Sequence, residues 1–374
     1  MTRRVLILEP QLKQYRRSFV QALAARLAEH DIKLTFAYSA PNRTERAKAD
    51  GIDLPGLAVK LPGMWLFDER VFVQWAWGPI RDADLVIMEQ GNKHVFNYVL
   101  LALSALGRKR VGYWGHGYNH QARHLGISER LKRRLVTRVD WWFAYTEGVG
   151  RYLRASGVDP RTISVLQNTV DTRPLTKAMT AIDTNAARAR LGISASAPVG
   201  LFCGSLYSDK MLGFLVEAAA AIRERHPDFA LIIIGDGPER AAVVRAAADK
   251  PFVHYVGPVF DVARAEYFAI SDLFLMPGLV GLAIVDAFAA GMPVLTTDVP
   301  IHSPEIEYLR SGENGEITAH DVSAYVDAVS RVITDAALRA RMSAAARATA
   351  ATLTLDHMVD QFADGIVRCL ERAP

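Results

Sequence analysis

Short apolar runs alternate with amphipathic stretches along the whole chain, and this alternation predicts strands separated by helices. In the first half, the apolar runs predict strands at residues 4–9, 34–39, 84–90, 110–117, 140–147 and 163–168. In the second half, they predict strands at residues 198–204, 229–235, 253–257, 272–277 and 293–298. Apolar positions at helical spacing lie between the strands, as at residues 18–30 and 148–157. Such an order favours parallel βαβ units.

The number of strands predicts two open, doubly wound parallel sheets, each at the centre of a Rossmann-like α/β domain. A chain of 374 residues can form two cores, because single cores stop growing near roughly 250 to 300 residues. Residues 172–197 have mixed composition and no strand run, which places the domain boundary there. We therefore expect an N-terminal domain over residues 1–172, a C-terminal domain over 173–355, and a last helix over 356–374.

Charge is distributed unevenly along the chain. Residues 1–171 carry 26 Lys and Arg against 16 Asp and Glu, a net charge of +10, whereas the remainder carries 18 against 24, a net charge of −6. This asymmetry favours an anionic partner for the first half, either lipid headgroups or a diphosphate-linked acceptor. The alternative is a basic surface that only keeps the protein soluble.

No apolar stretch is long enough to span a bilayer, since the longest covers residues 95–107 and a span needs about 20 residues. The first residues, MTRRVLILEP, contain no secretory h-region. Only Cys203 and Cys369 are present, far apart, so neither a disulfide framework nor a zinc site is indicated. We expect a cytoplasmic protein that is soluble or peripheral on the inner face of the cell membrane.

The most informative segment is residues 277–309, PGLVGLAIVDAFAAGMPVLTTDVPIHSPEIEYL. The predicted strand at 272–277 leads into a Gly-rich turn at 278–281, and helical periodicity follows as far as Gly291. Free amides at a helix N-terminus bind anions, and open α/β sheets bind ligands beyond the carboxyl ends of their strands. The segment therefore predicts a phosphate-binding site.

The order strand, Gly-rich turn, helix with a carboxylate, then G-x-P-V resembles that of the retaining family 4 glycosyltransferases. Three other segments are similar to motifs of that family: VLQNTVD at 165–171, FCGSLYSDK at 202–210 and IIIGDGPER at 232–240. The resemblance implies the GT-B fold, in which two Rossmann-like domains face each other across a cleft and a final helix packs back on the N-terminal domain. It also implies a nucleoside diphosphate-sugar as donor substrate, with no cofactor and no metal.

The resemblance assigns the donor-binding residues to the second domain. Asp286 matches a carboxylate that hydrogen-bonds the ribose hydroxyls, and Lys210 matches a phosphate-binding lysine. The alternatives are an Asp on the polar face of a surface helix and a solvated Lys. The other donor-binding candidates are Gly204, Ser205, Gly235, Gly237, Pro258, Val259, Gly281, Leu282, Ala283, His302 and Glu305.

The sequence departs from the family pattern in two places. Ser205 stands where the family usually has a second phosphate-binding Arg. The turn after Pro277 is shorter than the family's and lacks a Glu before Gly281. Either Glu305 or Glu307 substitutes for that carboxylate, or the donor sugar differs. His302 would offer a proton-bearing contact to sugar or phosphate.

Two residues are the candidates in the first domain. His116 in YWGHGYNH resembles the histidine that retaining members place near the reacting sugar, and a structural His at a strand end is the alternative. Glu89 is a candidate for orienting the acceptor hydroxyl, or it forms a salt bridge with Lys93.

Two segments of the first half suggest a membrane surface. Residues 127–142 have a basic amphipathic pattern, typical of helices that lie on anionic lipid, with Lys132, Arg133, Arg134 and Arg138. Residues 63–80 contain Trp65, Trp75 and Trp77, which predict either an interfacial patch or core packing. No nucleic-acid-binding module accompanies the basic residues, so nucleic acid is not an expected partner.

The sequence thus predicts a glycosyltransferase that moves a sugar from a nucleoside diphosphate-sugar to a hydroxyl of a lipid-linked or saccharide acceptor, in bacterial polysaccharide or glycolipid biosynthesis. His116, Lys210 and Glu89 are the predicted catalytic residues. A nucleotide-sugar epimerase of the same fold and a sugar-nucleotide-binding pseudo-enzyme are the alternatives.

Overall fold

The computed structural model describes residues 2–46, 50–91, 93–117 and 135–372. The chain forms two compact units. Unit 1 comprises Met1–Val170 together with Leu355–Pro374, and unit 2 comprises Asp171–Thr354. Half of the predicted basic amphipathic segment, residues 127–134 with Lys132, Arg133 and Arg134, lies outside the described residues.

Unit 1 is built around a parallel sheet. Its described strands are β1 (Arg3–Leu8), β2 (Ile32–Tyr38), β3 (Ala58–Lys60), β4 (Gly63–Leu66), β5 (Val71–Gln74), β6 (Leu85–Glu89), β7 (Arg110–Gly115), β8 (Trp141–Ala144) and β9 (Ile163–Val165). Among the described residues, seven of these strands form one sheet in the order β3-β2-β1-β6-β7-β8-β9. Strands β4 and β5 pair with each other as an antiparallel hairpin.

Amphipathic helices cover this sheet. The described α-helices are α1 (Arg17–Ala28), α2 (Arg43–Arg46), α3 (Trp77–Asp82), α4 (Val95–Ala105) and α5 (Glu147–Ala155), with 3-10 turns at Gln14–Arg16 and Pro160–Thr162. Helix α1 shows why they form, since its buried residues Phe19, Val20, Leu23 and Leu27 recur at helical spacing. Helix α5 begins at a Thr146 N-cap, whose side chain accepts from the amide of Val149.

Unit 2 has a second parallel sheet. Its described strands are β10 (Val199–Cys203), β11 (Ala230–Ile234), β12 (Val253–Gly257), β13 (Leu273–Leu275), β14 (Val294–Thr297) and β15 (Gly315–Thr318), in the order β12-β11-β10-β13-β14-β15. Strands β10 and β11 are buried at every position, which is why each reads as a continuous apolar run. The two sheets confirm the predicted fold class of two doubly wound α/β domains.

The helices of unit 2 follow its strands, except for two that precede the sheet. They are α6 (Arg173–Met179), α7 (Thr184–Arg190), α8 (Leu212–Arg225), α9 (Arg240–Asp249), α10 (Ala265–Ala269), α11 (Ala283–Ala289), α12 (Val322–Thr334) and α13 (Ala336–Thr352), with 3-10 turns at Ser208–Lys210, Asp261–Arg264 and Pro304–Tyr308. Residues 172–197, where the sequence predicts the domain boundary, contain α6 and α7 and lie in unit 2. Arg188 ties α7 to the sheet by donating to the carbonyls of Ala197 and Ile270 at 2.6 and 2.7 Å.

The last helix, α14 (Leu355–Glu371), belongs to unit 1 although it lies at the end of the chain. The ring of Phe362 stacks on that of Phe143 with centroids 4.2 Å apart. An added Cβ at Gly365 would lie 2.4 Å from the hydroxyl of Ser164, so glycine permits the close approach of α14 to the sheet. Arg26 of α1 and Asp360 of α14 form an ion pair at 2.6 Å.

The predicted aromatic segment is only partly buried. Trp65 of β4 stacks on Phe72 of β5 with centroids 4.5 Å apart, whereas Trp75 and Trp77 are 48% and 54% exposed. None of the helices among the described residues combines the length and the apolar character that crossing a membrane requires.

Candidate active site

In unit 2 the strand order reverses between β10 and β13, and such a point of reversal is called a switch point. Open parallel sheets bind ligands at switch points, beyond the carboxyl ends of their strands. The loop at 204–211 follows β10, and the Gly-rich turn at 278–281 follows β13. The structure thus brings together two segments that the sequence assigned to the donor.

The loop after β10 packs directly on the Gly-rich turn. The amide of Leu279 donates to the carbonyl of Asp209 at 2.8 Å, and Nζ of Lys210 donates to the carbonyl of Leu279 at 2.5 Å. An added Cβ at Gly278 would lie 2.2 Å from the carbonyl oxygen of Asp209, so this position requires glycine. The ammonium of Lys210 is therefore held beside the turn.

The glycines of the predicted site fall into two groups. An added Cβ at Gly235 would lie 1.9 Å from the carbonyl oxygen of Gly204, and one at Gly237 would lie 2.6 Å from another carbonyl of the same loop. At Gly204 and Gly281, by contrast, an added Cβ would meet no atom beyond its chain neighbours closer than 3.6 Å. Packing thus explains Gly235 and Gly237, whereas at Gly204 and Gly281 an added methyl group would make only ordinary van der Waals contacts, so packing does not require glycine there.

His302 supports the Gly-rich turn with both ring nitrogens. Nδ1 accepts from the amide of Val280 at 3.1 Å, so Nε2 carries the proton and donates to the carbonyl of Thr297 at 2.8 Å. Burial lowers the pKa of His302, which favours this neutral form. His302 thus fixes the turn, a role that the sequence did not indicate, and in this arrangement neither nitrogen is spare for a ligand.

The other predicted donor-binding residues lie along the same edge of the sheet. Glu305 and Glu307 are on the 3-10 turn Pro304–Tyr308, where Glu305 is only 2% exposed and Glu307 faces solvent. Leu282 is the N-cap of α11, where its side chain makes no capping hydrogen bond, and Ala283 is the first residue of the helix. Three residues directly follow strands and are half-buried or exposed: Ser205, Pro258 and Val259.

Asp286 lies in the first turn of α11 and is 6% exposed. Its Oδ2 accepts from Nη1 of Arg264 at 2.8 Å. The apolar neighbours of Asp286 indicated that its charge would need a partner, and the structure supplies this arginine. Nothing in the sequence around Arg264 distinguished it from a surface residue.

In unit 1 the strand order reverses between β1 and β6. Leu8 of β1 is in register with Met88 of β6, so the next residues, Glu9 and Glu89, are neighbours across the two strand ends. Burial, and then the charge of Glu89, raise the pKa of Glu9 to about 8, although two nearby cations oppose this. Glu9 is the last residue of the predicted first strand. The rule that ligands bind beyond the carboxyl ends of strands, which selects Glu89, therefore also selects Glu9.

A buried arginine lies beside these carboxyl groups. Arg16 is 7% exposed and donates to Oδ1 of Asn168 at 3.1 Å and to the hydroxyl of Tyr145 at 3.5 Å. Its guanidinium lies 4.4 Å from the ring centroid of Trp114. The ring of His116 meets that of Tyr145 edge to face at 4.6 Å. The structure therefore places His116 next to a charged cluster, whereas no sequence signal separates Arg16 from its neighbouring arginine.

The structure addresses one of the alternatives left open for unit 1, the salt bridge of Glu89. Within the described part of the chain, Glu89 and Lys93 form no salt bridge at 4.0 Å or less. His116 is exposed and directly follows β7. Considering only the described residues, no group of three or more His, Cys, Asp or Glu side chains is arranged to hold a metal ion.

Two family models match this chain. The model described as "Glycosyltransferase Family 4" matches residues 17–173, and that described as "Glycosyl transferases group 1" matches residues 197–335. This chain belongs to the family 4 glycosyltransferases. The first match covers residues 17–170 of unit 1 and extends three residues into unit 2, and the second contains the segments of unit 2 that the sequence predicts to bind the donor.

Curated relatives in the family are distant. The alpha-monoglucosyldiacylglycerol synthase of Acholeplasma laidlawii is 26% identical over 42% of this chain and 42% of its own length. The D-inositol 3-phosphate glycosyltransferase of Jonesia denitrificans is 27% identical over 53% of this chain and 50% of its own. The chain therefore spans half or less of the length of these two relatives.

A solved structure shares the fold. The chain is similar to Anabaena Alr3699/HepE, crystallised with UDP and glucose, with a TM-score of 0.69 and 16% identity over 98% of this chain and 99% of that chain. This likeness supports the GT-B fold for the glycosyltransferase described here.

Proposed function

We propose that this glycosyltransferase moves a sugar from a nucleoside diphosphate-sugar to a hydroxyl group, with retention of the anomeric configuration and without a metal ion. The observation that carries the proposal is the position of Lys210, held against the Gly-rich turn at the switch point of unit 2. Gly204 and Gly281, which are half-buried and where packing does not require glycine, lie on the same two segments. A cation beside accessible backbone suits a diphosphate.

The proposed step breaks the bond between the anomeric carbon and the diphosphate oxygen, which keeps the electron pair. The acceptor oxygen forms the new bond to that carbon, and its proton passes to the departing phosphate on the same face of the sugar. Lys210 neutralises the charge that develops on the diphosphate. Asp286 binds the ribose hydroxyls, since a carboxylate accepts hydrogen bonds from a vicinal diol.

In unit 1 we assign His116 and Glu89 to the reacting sugar and the acceptor hydroxyl. Glu89 would orient the hydroxyl as an acceptor of its hydrogen bond, and His116 would donate to a sugar hydroxyl. Their location beside the switch point of unit 1 supports this assignment.

A lipid-linked or saccharide acceptor in glycolipid or polysaccharide biosynthesis is the proposed substrate class. One relative's name refers to a glucosyldiacylglycerol and another's to an inositol phosphate, which favours a lipid or polyol acceptor. We propose a cytoplasmic enzyme that works at the inner face of the membrane. UDP is the first nucleotide to test, because HepE was crystallised with it.

Thermal denaturation with UDP, GDP, ADP and their sugar conjugates tests the donor class, because a ligand that binds only the folded state raises the melting temperature. Turnover then tests the role of Lys210. We expect Lys210→Ala to lower kcat by roughly 10² to 10³-fold, as when one stabilising donor is removed from a reaction site. Lys177→Ala, an exposed lysine on α6, is the control. Equal kcat values for the two variants would contradict the proposed role.

A further inference from the structure

The edge of the unit 2 sheet that carries the predicted donor-binding residues also contains a buried ion pair between Arg264 and Asp286. The proposed mechanism gives a role to the aspartate but none to the arginine. Arg264 ends the 3-10 turn Asp261–Arg264 after β12, and Asp286 lies in the first turn of α11. Their side chains are only 22% and 9% exposed, and Nη1 and Oδ2 are 2.8 Å apart. Removing two charges from water is costly, so such a pair needs additional partners.

The guanidinium of Arg264 has those partners. It lies near the buried thiol of Cys203, which ends β10, and 5.6 Å from the ring centroid of Phe268 on α10. Carboxylate, thiol and aromatic ring thus surround one planar group. This planar group is therefore fixed at the carboxyl end of β10, where the strand order reverses.

The ion pair leaves part of the carboxylate unused. A carboxylate has two oxygens that together accept about four hydrogen bonds. Arg264 engages Oδ2, and none of the residues that the structure describes donates to Oδ1. The side chain of Asp286 is 9% exposed, so it is not completely enclosed by the described residues.

We propose that Arg264 is a positioning residue, which holds Asp286 so that Oδ1 faces the ribose hydroxyls of the donor nucleotide. This inference rests on the proposed function, in which Asp286 binds the ribose. Without the guanidinium, the aspartate would have no fixed orientation at the edge of the sheet. The planar fork of Arg suits this task better than the point charge of Lys.

The test compares nucleotides with and without ribose hydroxyls. Kd values are measured by calorimetry for UDP, GDP and ADP and for their 2′,3′-dideoxy forms, with the whole chain. For the nucleotide that wild type binds, the Kd of the ribose form should be roughly 10- to 100-fold lower than that of the dideoxy form. This is the range expected for hydrogen bonds to a charged group. Asp286→Asn and Arg264→Gln should each reduce this preference to about twofold or less, with little change in affinity for the dideoxy form.

Arg190→Gln is the matched control, because Arg190 also pairs with a carboxylate, that of Glu266, but its side chain is 60% exposed. It should keep the wild-type preference. If Arg264→Gln does not fold, Arg264→Lys retains a cation and should still lower the preference several-fold.

Three results would overturn the inference. A ribose preference that is unchanged in Arg264→Gln or Arg264→Lys would refute it while leaving the proposed function intact. An equal loss of affinity for both nucleotide forms would show instead that Arg264 contacts the phosphates. Wild type that binds none of the nucleotides would remove both this inference and the proposed donor class.

Discussion

Glu9 should make unit 1 less stable as the pH rises. Its pKa is raised from 4.5 to about 8, first by burial and then by the charge of Glu89. Between these two values the folded state keeps the proton, whereas the unfolded chain loses it. The stabilising effect is therefore complete below pH 4.5 and is lost as the pH rises towards 8.

The loss amounts to about 1.4 kcal/mol per pH unit, hence about 3 kcal/mol between pH 5.5 and 7.5. Glu9→Gln removes the titration and resembles the protonated carboxyl in shape. The assay is urea unfolding at both pH values, followed by tryptophan fluorescence. All 6 tryptophans lie in unit 1, so the signal reports this unit alone: Trp65, Trp75, Trp77, Trp114, Trp141 and Trp142.

Comparison with the variant separates Glu9 from other titrating groups. Burial lowers the pKa of His94, which makes stability rise with pH below 6.5, but this contribution is common to wild type and Glu9→Gln. Glu29→Gln is the control, since the side chain of Glu29 is 63% exposed. Equal falls in stability for wild type and Glu9→Gln between pH 5.5 and 7.5 would refute the reasoning.

Two further predictions concern unit 2. Gly281→Ala should fold normally but weaken binding of the nucleoside diphosphate by about 1–3 kcal/mol in calorimetry, because its methyl group occupies the proposed phosphate space. Gly213→Ala, on α8 with no atom within 4 Å of an added Cβ, should leave binding unchanged. Arg264→Leu should destabilise unit 2 by about 3–5 kcal/mol in urea unfolding followed by circular dichroism, and adding Asp286→Leu should restore most of the loss. A double variant no more stable than Arg264→Leu would count against the ion pair.

The sequence predicts the strands that are buried on both faces. β6 has four consecutive buried apolar residues, which produce a clear run. β3 and β15 have only three and four residues and include half-buried or exposed positions, so they do not differ from loops in composition. All eleven predicted strands are present. Eight of them are shorter than predicted, mostly because their last predicted residues begin the loops, whereas β12 has the predicted bounds and β1 and β2 begin earlier than predicted.

The sequence predicts the site less completely, because partners that meet in space are far apart along the chain. The carboxylate Asp286 could be singled out by its apolar neighbours, but its partner Arg264 lies 22 residues away on another element. Arg16 and Arg17 are adjacent and chemically identical, yet only Arg16 is buried. Which of the two points inwards depends on where α1 begins, and this is set by packing on the sheet.

A buried carboxyl group lies at each of the two switch points, but its negative charge is neutralised in a different way in each unit. In unit 2 the guanidinium of Arg264 contacts Asp286 directly, so the pair compensates its own charge. In unit 1 Arg16 donates to the neutral side chains of Asn168 and Tyr145, and the pKa of Glu9 is raised despite the nearby guanidinium. In unit 1 a proton on Glu9 thus removes the carboxylate charge that the guanidinium of Arg264 compensates in unit 2. Since that proton dissociates near physiological pH, the effect of pH should concentrate at the proposed acceptor side rather than at the nucleotide.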